Sequence, residues 1–92
     1  MSSPNAFRLS PDLRFRQVGD EAIVLRYKTG EILVLSEIGG KILSSVERRQ
    51  PLEELLDELL GAYAVERSQL ERDVSDFLDE MLEEGILERA SA

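Results

Sequence analysis

Residues 29–43, TGEILVLSEIGGKIL, contain the signals for three successive elements of secondary structure. Gly30 suits a hairpin turn, because glycine tolerates the positive φ that such turns require. Ile32 to Leu35 are four consecutive apolar residues and favour a strand with two apolar faces. Ser36 is a good helix N-cap, and aliphatic residues follow it at intervals of four. The stretch therefore predicts a turn, a strand and a helix in immediate succession.

Two more strands are predicted upstream of this stretch. Residues 13–17 (LRFRQ) alternate arginine with less polar side chains, which is the period of a half-buried strand. Residues 22–27 (AIVLRY) form the second strand, and Gly19-Asp20 supplies the turn between the two. The arginines of these strands are expected to face solvent. They are Arg14, Arg16 and Arg26.

Two further helices are predicted downstream. Pro51 suits the first turn of the second helix, whose leucines recur at helical spacing. The third helix runs from about Arg67 to Glu84, with Gly85 as its stop. A three-stranded antiparallel sheet followed by three helices makes an α+β domain, which resembles a winged-helix-turn-helix with its sheet moved to the front.

Composition predicts where the folded domain begins and ends and in which compartment the chain is found. The first ten residues contain Pro4 and several serines and are expected to be a flexible arm, so the folded domain is predicted to span residues 11–89. No run of apolar residues approaches the roughly 20 that a bilayer requires, and the N-terminus lacks the apolar core of a signal peptide. A cytoplasmic chain without a membrane partner is therefore expected.

The residues that are missing disfavour catalysis. The chain has no cysteine and no histidine, which removes thiolate and imidazole nucleophiles, general bases and metal ligands together. The two lysines, Lys28 and Lys41, have no evident serine partner. We therefore expect no catalytic residue, no metal site and no cofactor.

The charge of the chain is unevenly placed. The formal net charge is −8, but residues 1–30 carry net +2 and residues 31–92 carry net −10. The predicted third helix, residues 66–84, holds eight acidic and two basic side chains. Such a helix repels a phosphate backbone, so a DNA-binding regulator is a weak alternative and no nucleic-acid partner is expected.

Motifs in both halves of the chain resemble the PqqD family. Residues 29–43 are similar to the family's hairpin followed by L-N-x-x-G-x-x-I-L, with Ser36 in place of the usual asparagine. The positions in register are Leu35, Gly39, Ile42 and Leu43. In the second half the family has a tyrosine that ends one helix, D-V-x-x-F-L opening the next, and a terminal glycine with an aliphatic pair. Here these are Tyr63, Asp73, Val74, Phe77, Leu78 and Gly85-Ile86-Leu87.

The resemblance covers about residues 11–88 and has one local departure. Residues 47–50 (ERRQ) stand where many relatives have a glycine-containing turn. The departure concerns the conformation of this loop and leaves the predicted fold unchanged.

The resemblance implies a recognition element for ribosomally made, post-translationally modified peptides, that is, a domain that binds the leader of a precursor peptide. In PqqD itself the partner is a radical SAM enzyme that acts on the precursor of pyrroloquinoline quinone (PQQ), and relatives serve lasso-peptide proteases. The expected partners are therefore a leader peptide and a modifying enzyme, either a radical SAM protein or a leader protease. The sequence does not choose between the PQQ, lasso and other pathways.

The third predicted strand is the expected docking site. It lies at the end of a short meander, so its edge is available to pair with an extended peptide. Ile32 and Val34 point to one face, and Leu33 and Leu35 point to the other. The sequence leaves open which of the two pairs lines the groove.

The third helix is the second wall of the groove that the family implies. On a helical wheel its apolar arc ends at Phe77, with Asp73 just outside it. The residues predicted to bind the peptide are Glu31, Ile32, Leu33, Val34, Leu35, Leu70, Asp73, Val74, Phe77 and Met81. One alternative is that the apolar arc is simply core and Asp73 is solvated. The other is a protein–protein or dimerisation module, with a seam of Leu70, Val74, Phe77 and Met81.

The acidic run near the end of the third helix is interpreted first as a solvated face. Its members are Asp76, Asp79, Glu80, Glu83 and Glu84. Selection of basic leaders is left open as a second role for this run.

Overall fold

A three-stranded antiparallel sheet followed by three helices forms the body of the chain, as the sequence predicts. The computed structural model describes residues 3–90. In chain order the elements are a 3₁₀ turn at Pro4–Ala6, strands β1 (Phe7–Leu9), β2 (Leu13–Val18), β3 (Glu21–Arg26) and β4 (Ile32–Leu35), helices α1 (Glu37–Glu47), α2 (Leu52–Ala62) and α3 (Arg67–Glu83), and strand β5 (Leu87–Arg89). The three predicted strands are β2, β3 and β4, and the three predicted helices are α1, α2 and α3.

The sheet β2-β3-β4 has one face on the core and one in solvent. Val24 and Leu33 are cross-strand partners on the inner face, and Val24 is fully buried. Ile32 and Val34 lie on the opposite face with 62% and 60% of their surface exposed. The sequence leaves open which pair of side chains faces which way. In the structure Leu33 and Leu35 pack on the core, whereas Ile32 and Val34 do not.

Two of the three arginines expected to face solvent do so. Arg14 and Arg16 are exposed on the outer face of the sheet. Arg26 is opposite Leu13 and so shares the inner face, where its Nη2 donates to the backbone carbonyl of Glu84 at 2.7 Å. The expectation for Arg26 is wrong, because strand parity turns it inward at the level where α3 ends. There its charge stabilises the carbonyl end of the helix.

The core lies between the inner face of the sheet and the helices. At Gly40, α1 approaches β3 so closely that a Cβ would stand 2.7 Å from the Cβ of Ala22. Burying a large aliphatic side chain contributes about 1.5–3 kcal/mol. The fully buried ones include Leu43, Leu55, Leu56, Leu59, Val74, Leu78 and Ile86. All three helices and the segment after α3 are therefore held by one common core.

Residues 7–9, assigned to a flexible arm in the sequence analysis, form half of a second, two-stranded sheet. β1 pairs antiparallel with β5, with Phe7 opposite Arg89 and Leu9 opposite Leu87. Phe7 is 1% exposed and belongs to the core. The expectation is wrong at these residues because a three-residue strand is too short to show a period, and its partner is at the other end of the chain. Residues 1, 2, 91 and 92 lie outside the described residues.

Ser36 and Gly85 delimit helices as predicted. The Ser36 Oγ accepts the N–H of Gly39 at 3.2 Å and caps α1. Gly85 has a φ of 77°, and its N–H and that of the next residue donate to the carbonyls of Leu82 and Met81. These two bonds make a Schellman motif, which satisfies the last carbonyls of α3.

The loop at residues 47–50, where the sequence departs from the family pattern, contains a residue in the left-handed region. Arg49 has a φ of 56°, which glycine adopts at lower cost. Buried Gln50 anchors the loop, since its Oε1 accepts the Ser45 hydroxyl at 2.6 Å and its Nε2 donates to Glu58 at 2.7 Å. The departure is therefore confined to the loop.

Candidate binding groove

β4 is an edge strand with one open side. It pairs with β3 in the order β2-β3-β4, and within residues 3–90 no strand covers its other side. Residues 32–35 contain neither proline nor a charged side chain, the features that usually block pairing at an edge. The edge is therefore open to an added strand.

The backbone groups of β4 point alternately to β3 and to the open edge. The Arg26 N–H donates to the Glu31 carbonyl at 2.9 Å, so these two residues form a hydrogen-bonded pair. Hydrogen-bonded and non-hydrogen-bonded pairs alternate along an antiparallel ladder. By this alternation Leu33 bonds to β3, whereas the N–H and C=O groups of Ile32 and Val34 point to the open edge.

An apolar cleft of about 280 Å³ opens beside the C-terminal end of β4. The start of α1, the connection between α2 and α3, and one side of α3 form its walls. Its lining residues are Ser36, Ile38, Gly39, Ile42, Tyr63, Val65, Leu70, Asp73, Val74 and Phe77. The cleft and the open edge together make a groove, which has a backbone wall and a side-chain wall.

Four of the residues predicted on α3 line this cleft. Leu70 and Val74 are buried and form its floor, Phe77 is half-buried, and Asp73 is exposed. Met81, predicted with them, does not line the cleft, because it is 6% exposed and packs in the core. Of the predicted residues 31–35, the last four are β4 and form the edge next to the cleft, and Glu31 immediately precedes the strand.

The contact between Gly39 and Phe77 brings α1 and α3 together at the cleft. A Cβ at Gly39 would stand 3.2 Å from the Phe77 ring. This is tighter than ordinary van der Waals contact, so the glycine gives the ring room to lie against α1. Gly39, which belongs to the family motif, therefore helps to shape the wall of the cleft.

Tyr63 closes one end of the cleft through a polar contact with α1. Its hydroxyl donates to the carboxylate of Glu37, and the Lys41 ammonium lies 5.1 Å from the centre of its ring. The hydrogen bond from Tyr63 lowers the pKa of Glu37, and the same bond raises the pKa of Tyr63. The contact ties the end of α2 to the first turn of α1.

Several lining residues were not among those predicted to bind. They are Ser36, Ile38, Gly39, Ile42, Tyr63 and Val65. Val65 is 45% exposed although it is apolar, and its place in the connection before α3 was the only signal in the sequence. Their positions depend on how that connection folds back over α1, which a helical period does not encode.

The residues proposed as a dimerisation seam on α3 are mostly not available to a second chain. Leu70, Val74 and Met81 are 4%, 0% and 6% exposed and belong to the core of the chain itself. Only Phe77 of the four proposed seam residues has substantial surface to offer a second helix.

No helix in the described part of the chain is both long and apolar enough to cross a bilayer.

The fold and the groove define a winged-helix-like α+β domain in which an open sheet edge lies beside an apolar cleft. The model of the family described as coenzyme PQQ synthesis protein D (PqqD) matches residues 21–87, and the chain belongs to this family. The resemblance drawn from the motifs is thereby confirmed. No curated protein matches the chain significantly.

Two solved structures are similar to the whole domain. The first, TbiB1 in complex with the TbiA(beta) leader peptide, has a TM-score of 0.79 and 29% identity, over 92% of this chain and 99% of that chain. The second, a lasso peptide synthetase B1 complexed with the leader peptide, has a TM-score of 0.81 and 24% identity, over 90% and 98% of the two chains. The second similarity bears on the fold alone.

Proposed function

We propose that this chain binds the leader segment of a ribosomally made precursor peptide and presents it to a modifying enzyme, without catalysing a reaction itself. The observation that carries the proposal is the open edge of β4 beside the apolar cleft. Membership of the PqqD family supports it, as does the similarity to TbiB1, which is described in complex with a leader peptide.

Binding begins with the addition of the leader as a further strand at β4. The free backbone groups of Ile32 and Val34 then gain partners, and each hydrogen bond contributes about 0.5–1.5 kcal/mol net. Backbone pairing does not depend on side-chain identity. It therefore gives affinity and alignment, but it does not select one leader over another.

Selection comes from the cleft. Side chains of an added strand alternate between the two faces of the sheet, so every second one points towards the helices. The floor at Leu70 and Val74 and the wall at Phe77 favour a bulky apolar side chain there. Burying such a side chain is worth about 1.5–3 kcal/mol. The proposed peptide-binding residues are therefore those of β4 together with Leu70, Asp73, Val74 and Phe77.

The chemistry belongs to the partner enzyme, which is a radical SAM protein or a leader protease. The groove holds the leader, so the segment to be modified or released lies outside the domain and is free to enter another active site. Because ribosomes supply the precursor, we place the encounter in the cytoplasm.

Two proline variants test strand addition, with a peptide selected from a random library for binding to the full chain as the probe. Val34→Pro removes an N–H that points to the open edge, so the domain stays folded and the affinity falls at least about tenfold. Leu33→Pro removes an N–H that bonds to β3 and leaves its carbonyl partner without a donor, so it lowers the free energy of unfolding by about 1–3 kcal/mol. Thermal unfolding and calorimetric titration measure both effects. Undiminished affinity of folded Val34→Pro would contradict strand addition.

A further inference from the structure

Asp73 is the charged residue among those that line the cleft. The other lining residues are apolar, glycine or hydroxyl-bearing. Pockets of this kind obtain affinity from their apolar walls and orientation from a few polar groups. The Asp73 carboxylate is thus placed to recognise a donor on a peptide whose neighbouring side chain fills the cleft.

Neighbouring side chains hold the Asp73 carboxylate in place. The Nε2 of Gln69 donates to its Oδ1 at 2.8 Å, and Nη2 of Arg72 donates to the Oε1 of Gln69 at 3.0 Å. A carboxylate offers about four acceptor sites, so the bond from Gln69 leaves capacity for a ligand. Gln69 therefore acts as a positioning residue for Asp73.

The two hydroxyls of the cleft are already engaged. The Ser36 Oγ accepts the N–H of Gly39, and the Tyr63 hydroxyl donates to Glu37. Each hydroxyl oxygen still has a lone pair to offer, but the Asp73 carboxylate carries a full negative charge and is the stronger acceptor for a donor on the peptide.

The charge of α3 favours a cationic donor. Residues 67–83 carry six acidic and two basic side chains. A surface of one sign raises the local concentration of the opposite charge and speeds its association. A lysine or arginine on the peptide also forms a shorter and stronger hydrogen bond with a carboxylate than a neutral donor does.

The spacing of the two contacts on α3 defines a spacing in the peptide. Asp73 and Phe77 are four residues apart, a rise of about 6 Å along a helix. Side chains two positions apart in a strand share a face and are about 6.6 Å apart. If the added strand runs along α3, one peptide side chain meets Phe77 while the next on the same face meets Asp73.

We infer that Asp73 makes the groove selective for leaders in which a lysine or arginine lies two positions from the bulky apolar residue that fills the cleft. This inference rests on the proposed function, since it needs the peptide to be an added strand on β4. It adds to that function the charge and the spacing of the recognised segment.

Selection from a random peptide library by mRNA display tests the inference without a known leader. The bait is the immobilised full chain, as wild type, as Asp73→Asn or as Asp76→Asn. Asp76 is exposed on the same helix and does not line the cleft, so its variant is a control for the charge change. We expect peptides from the wild type and from Asp76→Asn to share an apolar residue with lysine or arginine two positions away. Asp73→Asn should keep the apolar preference and lose the basic one.

Titration of one selected peptide then measures the effect. Asp73→Asn should weaken binding about tenfold and reduce its salt dependence, whereas Asp76→Asn, which removes only a part of the general charge of α3, should weaken binding less than about twofold. Asp73→Lys should recover affinity when the basic residue of the peptide is replaced by glutamate.

Three results overturn the inference. Apolar peptides without a basic preference, or equal losses in Asp73→Asn and Asp76→Asn, refute the role of Asp73 and leave leader binding intact. A selection that recovers no binder with any of the three baits contradicts the proposed function, and the inference falls with it.

Discussion

At the scale of single residues, Gly40 is the position at which α1 packs closely against strand β3 of the sheet. A Cβ there would come within 2.7 Å of the Cβ of Ala22, which is itself fully buried. We predict that Gly40→Ala lowers the free energy of unfolding by about 1–3 kcal/mol through overpacking, despite the gain in helix propensity. Chemical denaturation measures the change.

Gly61 provides the matched control for this substitution. It also lies in a helix, but a Cβ there would meet nothing within 4 Å. Gly61→Ala should therefore raise the free energy of unfolding by up to about 1 kcal/mol. If both alanines stabilised the domain, the close packing of α1 on β3 would be refuted.

The contact between Tyr63 and Glu37 links the stability of the cleft to pH. It lowers the pKa of Glu37 from its ordinary 4.5, so this stabilisation is present above 4.5 and is lost as the pH falls through the lowered value. It raises the pKa of Tyr63 from 10.0, so that stabilisation is present below 10.0 and is lost as the pH rises through the raised value. Both contributions are therefore complete between these two ordinary values.

Tyr63→Phe should remove both contributions at once. We predict that the difference in Tm between the wild type and this variant is largest at intermediate pH and shrinks towards both extremes. Tyr27→Phe, at a tyrosine that is 57% exposed, should show no such profile. A difference for Tyr63→Phe that stays constant with pH would argue against the contact.

At the scale of secondary-structure elements, the predictable parts are those with a local signal. The turn at Gly30, the cap at Ser36 and the stop at Gly85 each depend on the conformational preference of one residue. The spacing of leucines in α2 and of apolar residues in α3 is likewise contained within each helix. These signals were sufficient for the order of the sheet and the helices.

The elements that the sequence did not predict are held by distant partners. β1 exists because β5 pairs with it, and neither strand is long enough to show a period. The sequence predicts that Arg26 faces solvent, but the sheet register places it on the inner face. Tertiary contacts, which have no local signature, decide both cases.

The groove was predictable in part for the same reason. The positions of Asp73 and Phe77 at the margin of α3 followed from the helical wheel, and family motifs pointed to the same helix. The core position of Met81 and the place of Tyr63 at the end of the cleft depend on how α2 and α3 pack on α1. A helical wheel describes one helix at a time, so it predicts neither of these two positions.

At the scale of the whole molecule, the fold places the open edge of β4 beside the apolar cleft. The core fixes β4 on its inner face and α3 along its buried face, so the two walls of the groove are held by the same packing. A preformed groove requires little reordering on binding. The free energy of its contacts then has to offset mainly the entropy that the extended peptide loses when it becomes ordered.

Amide hydrogen exchange of the full chain, measured by NMR with and without the leader peptide, distinguishes strand addition at β4 from binding elsewhere on the domain. We expect the amides of Ile32 and Val34 to exchange readily in the free chain and to become protected in the complex. Leu33 and Leu35 are already bonded to β3 and should change little. Chemical shifts should move along residues 73–81. Protection confined to α1 and α2, with β4 unchanged while the peptide is bound, would contradict the account.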